Sequence, residues 1–133
     1  VSAALGAAAE AMLPLTHRDW SSAVSFVAGQ CKGLSDQDWS GLAGKGRTLV
    51  IYMGVASAKH IQQELLTGLS AETPLAVIQH ATLPHQRHAL TTLGHLRATI
   101  EREDLGSPAV IVVGDVVSGI AAVQRPAFAA RIA

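Results

Sequence analysis

The sequence predicts an α/β fold built from βαβ units, and two observations indicate it. Three short apolar runs are typical of strands buried on both faces: residues 48–53, 75–78 and 109–113. Stretches with helical spacing separate these runs. Strand, helix and strand within about 30 residues form a βαβ unit, and its crossover makes the two strands parallel.

Composition narrows the class of protein. The chain has 133 residues, 49% hydrophobic and 15% charged, which suits one packed domain. Its formal net charge is zero, which argues against binding nucleic acid or an anionic membrane surface. Every apolar run stops short of the roughly 18 residues of a membrane span. The single Cys31 can form no internal disulfide, so we expect a reducing compartment, by default the cytoplasm.

The sequence of the first third of the chain predicts a helix, a strand and a second, shorter helix. Residues 3–12 are rich in alanine, the best helix former, and we expect their helix to end before Pro14. Residues 23–28 favour a strand. A polar loop over residues 29–38 and a short helix over residues 39–43 follow.

Beyond the first apolar run, helices and strands alternate. Residues 58–69 place their apolar side chains on one helical face, and a second helix begins near Leu93 and ends before Gly106. Residues 87–92 fit either a strand or the start of that helix, and periodicity leaves both open. Residues 119–133 have a weak pattern, and we expect this tail to be mobile.

The ends of the apolar runs are candidate binding segments. Ligands of open α/β sheets bind outside the carboxyl ends of the strands, which indicates residues 53–55, 79–82 and 114–115. Gly54 and Gly114 would let a ligand approach the backbone closely. The alternative is that these glycines simply end strands, and spacing leaves both open.

A polar segment at residues 16–19 is a candidate anion site. Arg18 suits a carboxylate clamp, because its planar guanidinium forms bidentate hydrogen bonds. His17 could donate to an anion or transfer a proton near neutral pH. From the residues alone, a surface loop with solvated charges is favoured over this hypothesis.

Six histidines raise the possibility of a metal site. His80, His85 and His88 could gather around zinc or nickel, but Pro84 separates the first from the other two. No HExxH pattern occurs, so we predict no metal. The nucleophile elbow, the dinucleotide-binding glycine motif and the P-loop are also absent from the sequence.

Several blocks, taken together, resemble a known family. They share its order and spacing over nearly the whole chain: Ser2-Ala3-Ala4, residues 14–19 with Leu-Thr-His-Arg, residues 48–54 ending in Tyr-Met-Gly, residues 74–78, Gln86-Arg87, and residues 107–114 with Ser-Pro-Ala and a final Gly. On these blocks the chain resembles the C-terminal half of the uroporphyrinogen-III C-methyltransferases, including the methyltransferase part of siroheme synthase.

The resemblance implies a fold and an activity. It implies that residues 1–133 are the C-terminal lobe of a two-lobed tetrapyrrole methylase, an open mixed sheet with helices on both faces. S-adenosylmethionine would lie between the lobes and leave as S-adenosylhomocysteine. The enzyme, usually a homodimer, would transfer two methyl groups to uroporphyrinogen III and form precorrin-2, on the route to siroheme or cobalamin.

The resemblance also assigns cofactor contacts. It places Ser2, Ala3, Met53 and Ala81 beside S-adenosylmethionine. Ala81 stands where the family commonly has the glycine of a Val-Glu-Asn-Gly segment, and the contact there is made mainly through backbone. The corresponding residues here are Ile-Gln-His-Ala, so the acidic and amide side chains of that segment are missing.

For the substrate, the resemblance points to the polar segment. Thr16, His17 and Arg18 would face the tetrapyrrole. Arg18 would be the catalytic residue, binding carboxylates and stabilising the reacting ring. The resemblance therefore reverses the preference for a solvated loop.

The family's N-terminal lobe has no counterpart in this sequence. Its Gly-Pro-Gly-like opening and its Gly-Gly-Asp cofactor loop are both missing from the 133 residues. We therefore expect a fragment that, alone, binds S-adenosylhomocysteine weakly or not at all and shows no turnover. Two alternatives stay open: a non-catalytic dimerisation or ligand-sensing lobe, and a sibling methylase acting on a later corrin intermediate.

Overall fold

The structure is a computed structural model that describes residues 7–8, 15–16, 18–19, 21–29, 39, 42–80 and 83–117. Its strands are β1 (Ser21–Ala28), β2 (Gly46–Tyr52), β3 (Pro74–Gln79), β4 (Arg87–Thr92) and β5 (Ala109–Val113). Its helices are α1 (Ala58–Leu66) and α2 (Leu96–Arg102), and a 3-10 turn at Leu93–His95 leads into α2. The four strands expected from the sequence are confirmed, and residues 87–92 form a fifth.

The strands form one open sheet in the order β1-β2-β5-β3-β4. β1 runs parallel to β2, whereas β5 runs antiparallel to both β2 and β3, and β4 runs antiparallel to β3. Because β2 and β3 both oppose β5, they point the same way, as the βαβ prediction requires. They are not neighbours, however, since β5 lies between them. The mixed α/β fold is therefore confirmed.

Both faces of the central strands are covered, which explains their uninterrupted apolar sequences. Leu49 and Ile51 point to the face that carries α1 and α2, while Val50, between them, points to the opposite face. On that second face, the helical residues Ala7 and Val116 pack against the same cluster as Val50. Helical residues therefore lie on both faces of the sheet.

The two helices on the first face are joined by one glutamine. The side-chain carbonyl of Gln62 in α1 accepts the backbone N–H of Arg97 at 2.8 Å, and its amide donates to the carbonyl of Gly94 at 3.2 Å. Arg97 is near the start of α2, where backbone N–H groups lack partners within the helix. Gln62 therefore sets where α2 begins relative to α1.

Two predictions along the chain were wrong in detail. Trp39, Leu42 and Ala43 show a turn in place of the expected helix, with the N–H of Leu42 donating to the carbonyl of Trp39 at 3.4 Å. Trp39 is buried in the core, so its packing overrides local helix preference. α1 ends at Leu66, three residues early, and Leu69 still packs against the core.

Other sequence expectations fall outside the described residues. The helix over residues 3–12 is described only at Ala7 and Ala8, and the loop over residues 29–38 only at Gly29. The tail over residues 119–133 lies entirely outside the described part.

Gly114→Ala should destabilise the fold. Gly114 has φ +148°, and a Cβ there would lie 2.9 Å from the carbonyl oxygen of Arg47. We expect the free energy of unfolding to fall by about 1–3 kcal/mol, measured by urea denaturation. Gly68→Ala is the control, because no heavy atom lies within 4 Å of its added Cβ. An equal effect of both substitutions would contradict the close approach.

Candidate functional site

A cleft lies at the sheet edge where β2 and β3 end and β5 begins. Its volume is about 340 Å³. Tyr52 and Met53 line it from the end of β2, Ile78 and His80 from the end of β3, and residues 107–110 from the start of β5, with Leu83 beside them. The antiparallel direction of β5 brings these segments together, because its first residues lie beside the last residues of its neighbours.

The lining of the cleft is mostly apolar. Among the described residues, its polar side chains are Tyr52, His80 and Ser107, and it includes no Asp, Glu, Lys or Arg. Small-molecule sites commonly combine a cavity of this size with apolar walls and a few polar groups. The cleft therefore suits an uncharged, largely apolar ligand or part of a ligand.

Two of the lining residues have left-handed backbones. Met53 has φ +54° and His80 has φ +52°, and each directly follows its strand. Positive φ is uncommon outside glycine, and histidine adopts it more readily than methionine. Met53 is 55% exposed, so its burial does not account for the conformation. Such outliers are typical of binding sites, where the surrounding structure holds them.

Close backbone packing holds the turn after β2. The N–H of Gly29 donates to the carbonyl of Tyr52 at 2.6 Å. A Cβ on Gly29 would lie 2.9 Å from both the Cα of Gly54 and the carbonyl oxygen of Met53. The end of β1 therefore packs directly against the turn that presents Met53.

The segment after β3 is tied to β5. The N–H of His80 donates to the carbonyl of Pro108 at 3.0 Å, and the carbonyl of His80 accepts the N–H of Leu83 at 3.1 Å. The imidazole of His80 contacts that of His85, with ring centroids 4.3 Å apart and planes tilted by 53°. The cleft wall at His80 is therefore anchored through both backbone and side chain.

The third binding segment expected from the sequence lies elsewhere. Gly114 and Asp115 follow β5, and because β5 is antiparallel they lie at the opposite edge of the sheet from Met53 and His80. They line a separate cavity of about 200 Å³ together with Lys45 and Thr73. Residues 114–115 are therefore apart from the other two candidate segments, because β5 runs antiparallel to β2 and β3.

The residues predicted from the family resemblance divide into three groups. Met53 lines the cleft, and its contact with S-adenosylmethionine stays a prediction. Thr16 and Arg18 are exposed and are not among the described lining residues. Four more predicted contacts lie outside the described residues: Ser2, Ala3, His17 and Ala81.

The polar segment nevertheless begins on the same face of the sheet as the cleft. Leu15 packs against the cluster that contains the cleft residues Tyr52, Ile78 and Val110. Three residues span at most roughly 11 Å, so Arg18 stays close to that face.

The structure also bears on the possible histidine metal site and on membrane-spanning helices. His80 and His85 are in contact, although Pro84 lies between them in sequence. Within the described ranges, no group of three or more His, Cys, Asp and Glu side chains could hold a metal ion. In the same part of the chain, no helix is long and apolar enough to span a bilayer.

Sequence reasoning did not assign the start of β5 to the site. Residues 107–110 form one wall of the cleft, and Tyr52 and Leu83 extend it. The Ser-Pro-Ala block was a usable signal for these residues. The rule that ligands bind at the carboxyl ends of strands predicted the other end of β5 instead.

Comparison with known proteins places this chain among tetrapyrrole enzymes. The family model Tetrapyrrole (Corrin/Porphyrin) Methylases matches residues 1–97. Siroheme synthase from Pseudoalteromonas translucida is 45% identical over 120 residues, 89% of this chain and 25% of that protein. Uroporphyrinogen-III C-methyltransferase from Pseudomonas fluorescens is 41% identical over 117 residues, 87% of this chain and 47% of that protein. The chain thus spans between a quarter and a half of these relatives.

Solved structures share the fold. Uroporphyrin-III C-methyltransferase from Thermus thermophilus, complexed with S-adenyl homocysteine, aligns with a TM-score of 0.71 and 29% identity, over 81% of this chain and 46% of that one. A cobalt precorrin-4 methyltransferase aligns with a TM-score of 0.77 and 22% identity, over 88% of this chain and 50% of that one, which shows a common fold.

Met53→Gly should stabilise the protein. Glycine removes the cost of the left-handed backbone but adds flexibility to the unfolded chain, so we expect a net gain of about 0.5–1 kcal/mol in the free energy of unfolding. Asp104→Gly is the control, because Asp104 is exposed, has φ +50° and lies outside the described cleft lining. Its gain should be smaller, since aspartate tolerates this conformation better. A loss of stability in Met53→Gly alone would contradict the strain at that residue.

Proposed function

The chain belongs to the tetrapyrrole methylase family, and from this premise we propose that it forms part of an S-adenosylmethionine-dependent C-methyltransferase. In this proposal the cleft beside Met53 binds the methyl donor, and Arg18 binds the tetrapyrrole. The observation that carries the proposal is the cleft itself. The cleft lies at the ends of β2 and β3 and is lined by Met53, which belongs to the Tyr-Met-Gly block of the family. The same fold occurs in an enzyme crystallised with S-adenyl homocysteine.

The size and chemistry of the cleft support a donor site. Its volume of about 340 Å³ lies within the range of small-molecule sites. Its described lining has no Asp, Glu, Lys or Arg and is mostly apolar, which suits a nucleoside thioether. When bound, S-adenosylmethionine supplies a methyl group on a sulfonium sulfur, which an electron-rich ring carbon can displace.

The chain's own residues would orient the reactants. Met53 and His80 project from anchored turns, so the cleft needs little rearrangement on binding. Ile78 and Val110 provide apolar surface that excludes water from the reacting centre. Holding carbon, methyl and sulfur in line contributes much of the rate enhancement in a displacement of this kind.

Arg18 is the proposed substrate clamp. Its side chain is exposed, and its segment starts from Leu15, which packs on the same face of the sheet as the cleft. A guanidinium binds a carboxylate through two parallel hydrogen bonds, and uroporphyrinogen III carries several carboxylates. Thr16 and His17 belong to the same proposed surface.

The finer parts of the proposal come from the family resemblance. They are uroporphyrinogen III as the substrate, precorrin-2 as the product, and Ser2, Ala3 and Ala81 as further donor contacts. The names of the relatives support this substrate class, because they include siroheme synthases and uroporphyrinogen-III C-methyltransferases. The homodimer, the cobalamin branch and the cytoplasmic location stay predictions.

Methyl transfer tests the activity. The product of the complete reading frame should move labelled methyl groups from S-adenosylmethionine to uroporphyrinogen III, two per tetrapyrrole, as followed by mass spectrometry. Residues 1–133 alone should show no turnover. Labelling only of later corrin intermediates would exclude this substrate in favour of a sibling reaction. Absence of label in every tetrapyrrole would refute the proposed function.

Arg18→Lys tests the clamp. Lysine keeps the charge but loses the bidentate geometry, so we expect kcat/KM for the tetrapyrrole to fall about 30-fold, which corresponds to roughly 2 kcal/mol. Affinity for S-adenosylhomocysteine should not change. Arg102→Lys, an exposed position on α2, is the matched control. Equal kinetics of both variants would remove Arg18 from the substrate site.

A further inference from the structure

His80 occupies a well-anchored position in the wall of the cleft. Its backbone is hydrogen-bonded to Pro108 on one side and to Leu83 on the other. One bond ties the left-handed residue to the residue before β5, and the other closes a turn with Leu83. The imidazole is therefore attached to a backbone that two hydrogen bonds hold in place.

The imidazole of His85 contacts the imidazole of His80. The ring of His85 lies 4.3 Å from that of His80, and a tilted contact at about this distance is favourable for aromatic rings. His85 is exposed and is not among the described residues that line the cleft. It therefore contacts His80 from outside and restricts the rotation of the His80 ring.

The lining indicates which part of a ligand His80 would meet. S-adenosylmethionine has a charged amino-acid end and a neutral purine nucleoside. The described part of the cleft has no Asp, Glu, Lys or Arg side chain to pair with the charged end, and an unpaired buried charge is costly. An aromatic ring beside the apolar residues Ile78 and Val110 suits a neutral planar base instead.

We propose that His80 is a ligand-binding residue that stacks on the purine base of the donor, and that His85 is a positioning residue that holds the His80 ring. This inference rests on the proposed function, since it needs the nucleoside in the cleft. It goes further by assigning a role to His80 and to His85.

The test compares two ligands that share the adenine nucleoside. Affinities for S-adenosylhomocysteine and 5′-methylthioadenosine are measured by calorimetry with the product of the complete reading frame. His80→Asn removes the ring but keeps a residue type that tolerates left-handed backbone. We expect it to weaken both ligands roughly tenfold, a typical loss for one base–aromatic stack. His60→Asn, an exposed histidine on α1, is the matched control and should change neither affinity.

The positioning role has its own pair of variants. His85→Ala should weaken both ligands about threefold, because the His80 ring is then free to rotate. His85→Phe keeps the ring contact and should restore the original affinities. These variants also test the inference if His80→Asn fails to fold, as judged by its thermal unfolding.

Each contrary result has a defined meaning. Unchanged affinities in folded His80→Asn, or equal losses in His85→Ala and His85→Phe, would overturn the inference and leave the proposed function intact. Weaker binding of S-adenosylhomocysteine alone would also overturn it, because the effect would then lie at the amino-acid end. If the unaltered protein binds neither ligand, the proposed function and the inference fail together.

Discussion

The pairing of β5 with two strands of opposite direction is the constraint on which the rest of the structure depends. Residues 110–113 pair with β2, and residues 109–113 pair with β3. Val110 is 5% exposed, and Ile111, Val112 and Val113 are fully buried. A strand that is paired on both edges and covered on both faces cannot slip by one residue without exchanging its two buried faces. The direction of β5 therefore decides which chain segments meet at each edge of the sheet.

The candidate site follows from that arrangement. β2 and β3 end at one edge, each followed by a left-handed residue, and the start of β5 lies between them. Hydrogen bonds from Gly29 and His80, to Tyr52 and Pro108 respectively, hold these turns in place. The cost of two unfavourable backbone conformations is thus offset by the surrounding packing. The result is a wall that is held by backbone hydrogen bonds and whose described lining contains no Asp, Glu, Lys or Arg.

The local pattern of apolar residues predicted the correct element where burial alone determines it. The uninterrupted apolar runs predicted β2, β3 and β5, because a strand covered on both faces has no polar side to show. It was insufficient where distant contacts compete with local preference. Residues 87–92 fitted two element types, and pairing with β3 made them a strand. Trp39 is buried in the core at a turn, where local preference predicted a helix.

The order of the amino acids was enough to predict the α/β class, the main strands and the family, whereas the role of Met53 as a cofactor contact stays a prediction. Folding in three dimensions added the direction of β5, the wall formed by residues 107–110, the removal of Gly114 and Asp115 to the far edge, and the contact between His80 and His85. The difference has a physical cause. The burial of side chains can be inferred from the local spacing of apolar residues. The pairing of strands far apart in sequence depends instead on backbone hydrogen bonds, which every residue type except proline can both donate and accept.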